Sequence, residues 1–299
     1  MENRSKMRGI GGSDAAIVAG ISKYKSQYQL WMEKTGKAEP FKGNEATHWG
    51  TKLEDVVAEE YTQRTGRKVR RVNMTQYHPE YDFIFGHVDR VSVGDKRIVE
   101  IKTSLGKYRS DADWGEAGSD SIPEAYYLQV QHYMAVMQSQ VCDVAALVSG
   151  DSGAELRIYE IQRDDKLISD LIAMEKKFWE YVESDTPPPV RDTRDLAVKY
   201  PKDDDETVIA SMEIYELVNR LKEMKSAKKE MDDAEEKIKT EIQKFMEEKA
   251  YLVSQSGNKL ASWKLQTTER VDTSLLKKEL DPAVLRKYTK ISESRVFRL

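Results

Sequence analysis

The side chains most capable of chemistry are Asp89 and, after a short interval, Glu100-Ile101-Lys102. In a strand of period two, Glu100 and Lys102 share one face while Ile101 points into the core, so a carboxylate and an ammonium stand side by side. Residues 88–93 and 98–103 read as strands joined across Gly94-Asp95, a hairpin that carries the Asp89 carboxylate toward Glu100. Two close carboxylates repel unless a cation lies between them, and hard oxygen donors suit Mg²⁺ or Mn²⁺. Glu54 is a candidate third carboxylate, and Lys102 would then orient or help deprotonate a water that attacks phosphorus. The same residues have a plainer reading as a weak salt bridge on an exposed strand face, with Asp89 preceding a turn. On spacing alone the plainer reading is the commoner one, and both stay open.

The elements that must position these residues form an α/β pattern. Residues 15–20 read as a short helix after Gly11-Gly12, capped by Ser13 or Asp14, and residues 27–35 as a second closed by Gly36. From Gly50 to Gly66, Leu53, Val56, Val57, Ala58 and Tyr61 recur at helical spacing, placing Glu54 near the start of a helix. Residues 83–85 add a strand, and residues 107–123 a loop able to close over a site. An amphipathic helix is expected over 125–137, strands over 144–149 and 156–161, and a helix over 165–183 that Thr186-Pro187-Pro188-Pro189 ends. These fill a first domain, residues 1–190.

Residues 191–208 read as a polar linker and 209–299 as a second region. Within it, Leu217, Leu221, Met224, Met231, Ile238, Ile242 and Phe245 fall on alternating steps of three and four, interrupted by Lys228 and Glu235. That supports one long charged helix, as a coiled coil or half of a helical hairpin. A hairpin across Ser256-Gly257-Asn258 and a short helical region in 271–288 follow.

Composition narrows the classes. With 299 residues, 39% hydrophobic and 33% charged, the chain is neither collagen-like nor globally disordered. A single cysteine, Cys142, rules out an internal disulfide framework, and no apolar run approaches the roughly 18 residues of a membrane span. Met1-Glu2-Asn3-Arg4-Ser5-Lys6 leads into no secretory-type segment, so a cytoplasmic protein is expected. Forty-eight basic against 52 acidic residues is unlike a nucleic-acid coat but compatible with a nuclease whose acidic metal site offsets a basic groove. His48, His78, His87 and His132 are too scattered for structural zinc, and residues 9–12 lack the Lys and Ser/Thr of a phosphate loop.

Gly50-Thr51-Lys52-Leu53-Glu54, Gly86-His87-Val88-Asp89, Glu100-Ile101-Lys102-Thr103 and Tyr127-Leu128-Gln129-Val130-Gln131-His132-Tyr133-Met134 follow the amino-terminal Gly-Gly-Ser-Asp in order. This set resembles the motifs of the YqaJ-type viral recombinase nucleases, relatives of phage lambda exonuclease within the PD-(D/E)xK superfamily. The resemblance spans roughly residues 8–185. It implies a restriction-endonuclease-like core, a central mixed sheet flanked by helices, to which this chain adds a C-terminal helical or coiled-coil and small β extension. It implies Glu54, Asp89, Glu100 and the main-chain carbonyl of Ile101 at a metal centre, Lys102 as the catalytic lysine, and Gln129 supporting that lysine or the attacking water.

The resemblance also implies a pocket for a terminal 5′ phosphate at Ser13 and Arg8, which helix-start amides and a guanidinium suit; a plain helix cap beside a basic tail is the other reading. Trp114 is expected to meet unpaired DNA, with Lys107, Tyr108 and Arg109 on backbone phosphates, whereas Trp31 and Trp49 are expected in the core. His132 is expected to pack or bond near the active face.

The activity implied is a Mg²⁺-dependent exonuclease, with Mn²⁺ as a substitute, that degrades the 5′ strand of duplex DNA ends. The exposed 3′ strand would pass to a single-strand annealing protein of the RecT or Beta type, in a bacterial or phage-infected cell, and a trimeric homo-oligomer is the family precedent. A structure-specific endonuclease, which would cut a closed circle, and a non-catalytic DNA-end scaffold are the rivals. The intact Asp89, Glu100 and Lys102 set argues against the scaffold. In residues 209–299 basic and acidic side chains nearly balance, which favours protein contacts, as oligomerisation or partner docking, or intramolecular pairing over a DNA-contacting arm, with chain-internal packing as a third option.

Overall fold

The computed structural model describes residues 9–105, 114–150, 153–291 and 293–299. Arg8, Lys107, Tyr108 and Arg109 lie outside the described residues. The chain divides into two units that meet at Lys199 and Tyr200.

In the first unit a 3₁₀ turn, Gly12–Asp14, leads into α1 (Ala15–Val18), whose four residues are all buried. α2 (Gln27–Lys34) starts at a reciprocal cap: Ser26 Oγ accepts from Gln29 N while Gln29 Oε1 accepts from Ser26 N. α3 (Glu45–Thr65) begins ahead of Gly50 because Asn44 caps it, its side chain accepting from Thr47 N at 3.1 Å, so Glu54 sits mid-helix. Gly66, at φ 72°, ends it in the left-handed conformation that glycine adopts without strain.

Short strands follow: β1 (Val69–Arg71), β2 (Gln76–Tyr77), β3 (Phe85–Gly86) and β4 (Arg90–Ser92), then β5 (Ile98–Ser104). α4 (Glu124–Met137), β6 (Val141–Gly150), β7 (Gly153–Gln162), α5 (Asp165–Glu183) and α6 (Thr193–Lys199) complete the unit. The main sheet is five-stranded in the order β1-β4-β5-β6-β7. It is mixed, because β5 and β6 run parallel while the other neighbours are antiparallel. A parallel pair needs a crossover, and α4 lies in the segment that supplies it.

The pleat of β5 divides the core. Ile98 joins Val144, Ala146 and Tyr159 beneath Val130, Tyr133 and Met134 of α4, whereas Val99 and Ile101 pack with Val57, Ala58 and Tyr61 of α3. α4 departs from the expected amphipathic pattern: residues 128–136 are all buried, because α1, α5 and the sheet surround it. The stretch expected as linker contains α6, whose buried Asp195 accepts from the Ser26 hydroxyl.

The second unit holds α7 (Met212–Met246), capped by Ser211, then an antiparallel hairpin of β8 (Tyr251–Val253) and β9 (Lys259–Ser262). α8 (Thr273–Glu279) and α9 (Pro282–Tyr288) start at Asp272 and Asp281, each accepting from a first-turn amide. Among the described residues no helix is long and apolar enough to cross a membrane.

Candidate active site

β5 is the middle strand of the sheet, and its two-residue period turns Glu100 and Lys102 toward α4. There Gln129 meets both. Lys102 Nζ donates to Glu100 Oε1 at 2.6 Å and to Gln129 Oε1 at 3.0 Å, and lies 4.8 Å from the Tyr126 ring centroid. The Gln129 amide donates to Glu100 Oε1 at 2.9 Å and to the Tyr133 hydroxyl at 3.0 Å. Glu100 is 2% exposed, so this ion pair is buried and the surface salt-bridge reading does not describe it.

Asp89 immediately precedes β4, one step beyond the Arg90↔Val99 pair, and so faces Glu100 across the hairpin. Its Oδ2 accepts from Ile101 N at 2.8 Å. Burial, followed by the negative charge of Asp89, pushes the Glu100 carboxyl up to about 8. Burial likewise raises Asp89, against the pull of Lys102 and the Ile101 amide. For Lys102 burial works against the charge, but Glu100 and Asp89 hold the ammonium above its ordinary value.

Glu54 stands differently. Arg90 shares with Val99 the sheet face that α3 covers, and its guanidinium donates to Glu54 Oε1 at 2.5 Å, to Asp55 Oδ1 at 2.7 Å and to the Asp89 carbonyl at 2.7 Å. Glu54 is thus held on an arginine, while its charge still bears on Asp89 and Glu100. Among the described residues no group of three or more His, Cys, Asp or Glu side chains is arranged to hold a metal ion. The Asp89 and Glu100 pair nonetheless suits a hard cation, because the second oxygen of Glu100, Oε2, is buried with no hydrogen-bond partner. A buried carboxylate oxygen without a donor is costly, and a divalent ion is a ligand that relieves it.

At the amino terminus Ser13 is exposed, and the Gly11 amide is already capped by Asp14 Oδ2 at 3.0 Å, with Lys34 Nζ 2.7 Å from the same oxygen. Two aromatic expectations are corrected. Trp114 is 6% exposed, packed between Tyr126 and Tyr159 with ring centroids 5.6 and 5.5 Å away, so its ring is part of the core and unavailable to DNA. Trp49 is 57% exposed, because it precedes the turns of α3 that reach the sheet. Trp31 is buried as expected, its indole donating to the Tyr181 carbonyl at 2.9 Å. His132 bonds within the core: Nδ1 lies 2.7 Å from Glu175 Oε1 and Nε2 2.8 Å from the Phe85 carbonyl.

Two participants escaped the sequence reading. Arg90 follows Asp89 directly, and nothing in its spacing marks it. Tyr133 was signalled, since it lies four residues after Gln129 and therefore on the same helix face.

A family model described as YqaJ-like viral recombinase domain matches residues 3–141. The chain is 33% identical over 301 residues to "Uncharacterized protein YqaJ" of Bacillus subtilis (strain 168), an overlap covering 98% of this chain and 91% of that protein. Among solved structures, the alkaline exonuclease LHK-Exo from Laribacter hongkongensis superposes with a TM-score of 0.50 at 22% identity, covering 61% of this chain and 92% of its own. The complex of LHK-Exo with dAMP gives the same TM-score over 64% and 93%. At that identity the likeness is one of fold, the central mixed sheet with flanking helices. From the near full-length match and the family model together, the chain belongs to the YqaJ family of viral recombinase-like domains.

Proposed function

We propose that this chain is a Mg²⁺-dependent exonuclease that degrades the 5′ strand of linear duplex DNA and leaves a 3′ single strand for phage-type recombination. The observation that carries the reading is the buried Glu100, Lys102 and Gln129 cluster beside Asp89, with one Glu100 oxygen lacking any protein donor. LHK-Exo, which shares the fold, is an alkaline exonuclease and has been seen with dAMP.

Asp89 and Glu100 would hold the cation, with the Ile101 carbonyl and Glu54 as further donors; Mn²⁺ suits the same oxygens. When bound, the ion supplies charge neutralisation at the scissile phosphate and a lowered pKa for an attacking water. Lys102, fixed by Glu100 and Gln129, orients that water and stabilises charge developing on the phosphoryl oxygens. Gln129 keeps the ammonium aimed by accepting from it while donating to Glu100. The product is a nucleotide bearing a 5′ phosphate. Ser13 receives the terminal 5′ phosphate of the next nucleotide. Its exposure at a helix start supports that role.

The partners in this reading are duplex DNA ends and a single-strand annealing protein of the RecT or Beta type. The exposed apolar seam of α7 supports a coiled-coil role in oligomerisation.

The test is Mg²⁺-dependent degradation of linear duplexes labelled at either end, bearing 5′ phosphate or 5′ hydroxyl, against a closed circle. Stepwise loss from the phosphorylated 5′ end with the circle intact is the expected result. A cut circle points instead to an endonuclease, and binding without cleavage to a scaffold.

A further inference from the structure

α7 is 35 residues long, and Met246 is the one buried side chain within it. A helix of that length, about 52 Å, gains most of its stability by packing an apolar stripe against something. α7 carries such a stripe in five heptads. Ile214, Leu221 and Ile242 occupy a positions, and Leu217, Met224, Met231, Ile238 and Phe245 occupy d positions. All of these except the half-buried Leu221 are exposed. The two remaining a positions are Lys228 and Glu235, exposed and opposite in charge.

We propose that α7 pairs with α7 of a second copy of this chain as an antiparallel two-stranded coiled coil. Charge complementarity selects both the occupant and its direction. In a parallel pair each a position meets its own copy, so Lys228 faces Lys228 and Glu235 faces Glu235, while the flanking positions set Arg220 beside Lys225. All of those meetings are repulsive.

In an antiparallel pair centred between Lys228 and Met231, a positions layer against d positions. Ile214 then meets Phe245, Leu217 meets Ile242 and Leu221 meets Ile238, so the apolar layers at both ends of the helix are filled. Lys228 stands one layer from Glu235 of the second copy. The flanks bring Arg220 beside Glu241 and Lys225 beside Asp232, and twofold symmetry repeats every pair. Glu235 and Glu241 already bond Lys239 and Lys244 of their own helix at 2.6 and 2.7 Å. Such exposed pairs are weak and exchange readily. Each chain would enter the rod at Met212, and the two Met212 ends would lie about 52 Å apart.

The test uses the full chain. Light scattering at tens of micromolar should give twice the monomer mass. Lys228→Glu places Glu beside Glu235 of the second copy and should weaken the dimer at least tenfold, and the exchange Lys228→Glu/Glu235→Lys should restore it. In a parallel pair the single substitution replaces one like-charge meeting by another and changes little. Leu217→Cys/Ile242→Cys should cross-link two copies on oxidation, whereas Met224→Cys alone should not. A monomeric or trimeric wild type overturns the proposal, as does Met224→Cys linking to itself or a Lys228→Glu dimer of undiminished strength. The cysteine pair keeps the test independent of how well the charge variants fold.

Discussion

The Tyr133 hydroxyl accepts a hydrogen bond from Gln129 Nε2 at 3.0 Å, so a residue outside the carboxylate cluster steadies the amide that grips both Glu100 and Lys102. The ring in turn is wedged between two glycines. A Cβ added at Gly12 would lie 2.3 Å from it, and one at Gly86 would lie 2.9 Å away. Tyr133→Phe keeps the wedge and removes the hydroxyl, a loss of about 1 kcal/mol. Turnover should fall by up to about tenfold with KM for duplex DNA unchanged. A shift in KM with turnover intact would place Tyr133 in substrate binding instead.

Lys102→Ala should reduce cleavage by about a hundred- to a thousandfold while duplex binding persists, because the ammonium acts on charge that develops during reaction. Parallel gel-shift and cleavage assays separate the two. Strong residual cleavage would remove Lys102 from the chemistry.

Mg²⁺ should raise the thermal midpoint of the wild type, since a ligand that binds the folded chain alone stabilises it. Glu100→Gln, which gives the buried position a neutral side chain of the same size, should abolish that rise together with activity. An equal Mg²⁺ shift in the variant would locate the ion elsewhere. EDTA should return the wild type to its metal-free midpoint.

Burial opposes a charge on His132, yet Glu175 at Nδ1 and the Phe85 carbonyl at Nε2 hold its imidazole above the ordinary value of 6.5. A raised histidine stabilises the fold fully below its unfolded value, and that contribution is lost as pH climbs through the higher folded one. Urea midpoints of the wild type should therefore fall more steeply than those of His132→Gln as pH rises above the ordinary histidine value of about 6.5. Identical slopes would show that the pair does not titrate there.

Ser13 is exposed, so Ser13→Ala should leave stability within about 0.5 kcal/mol of wild type. It should nonetheless erode the preference for 5′-phosphorylated over 5′-hydroxyl ends. Competition between the two substrates measures this directly, and an unchanged ratio would place the phosphate elsewhere.

What the sequence made legible follows local rules. α5 runs over Asp165–Glu183 as its periodicity and the following prolines require, and β5 places Glu100 and Lys102 on one face as a two-residue period must. Non-local features were closed to such reading. Trp114 and Trp49 both resemble ordinary aromatics in sequence, but tertiary packing buries the first and leaves the second in the open. The parallel pairing of β5 with β6, the burial of α4 on all sides and the hold of Arg90 on Glu54 likewise depend on which distant segments meet.

β5 ends at Ser104, and its parallel neighbour begins only at Val141, after α4. Closing so long a loop carries an entropic cost that must be met before any pairing rewards it. A nascent chain that has emerged only through the β4 and β5 hairpin has Asp89, Glu100 and Lys102 but neither Gln129 nor a second wall for β5. The Glu100, Lys102 and Gln129 cluster therefore cannot assemble until α4 and β6, which end near the midpoint of the chain, have emerged, and a shorter nascent copy carries its two carboxylates and its lysine unassembled.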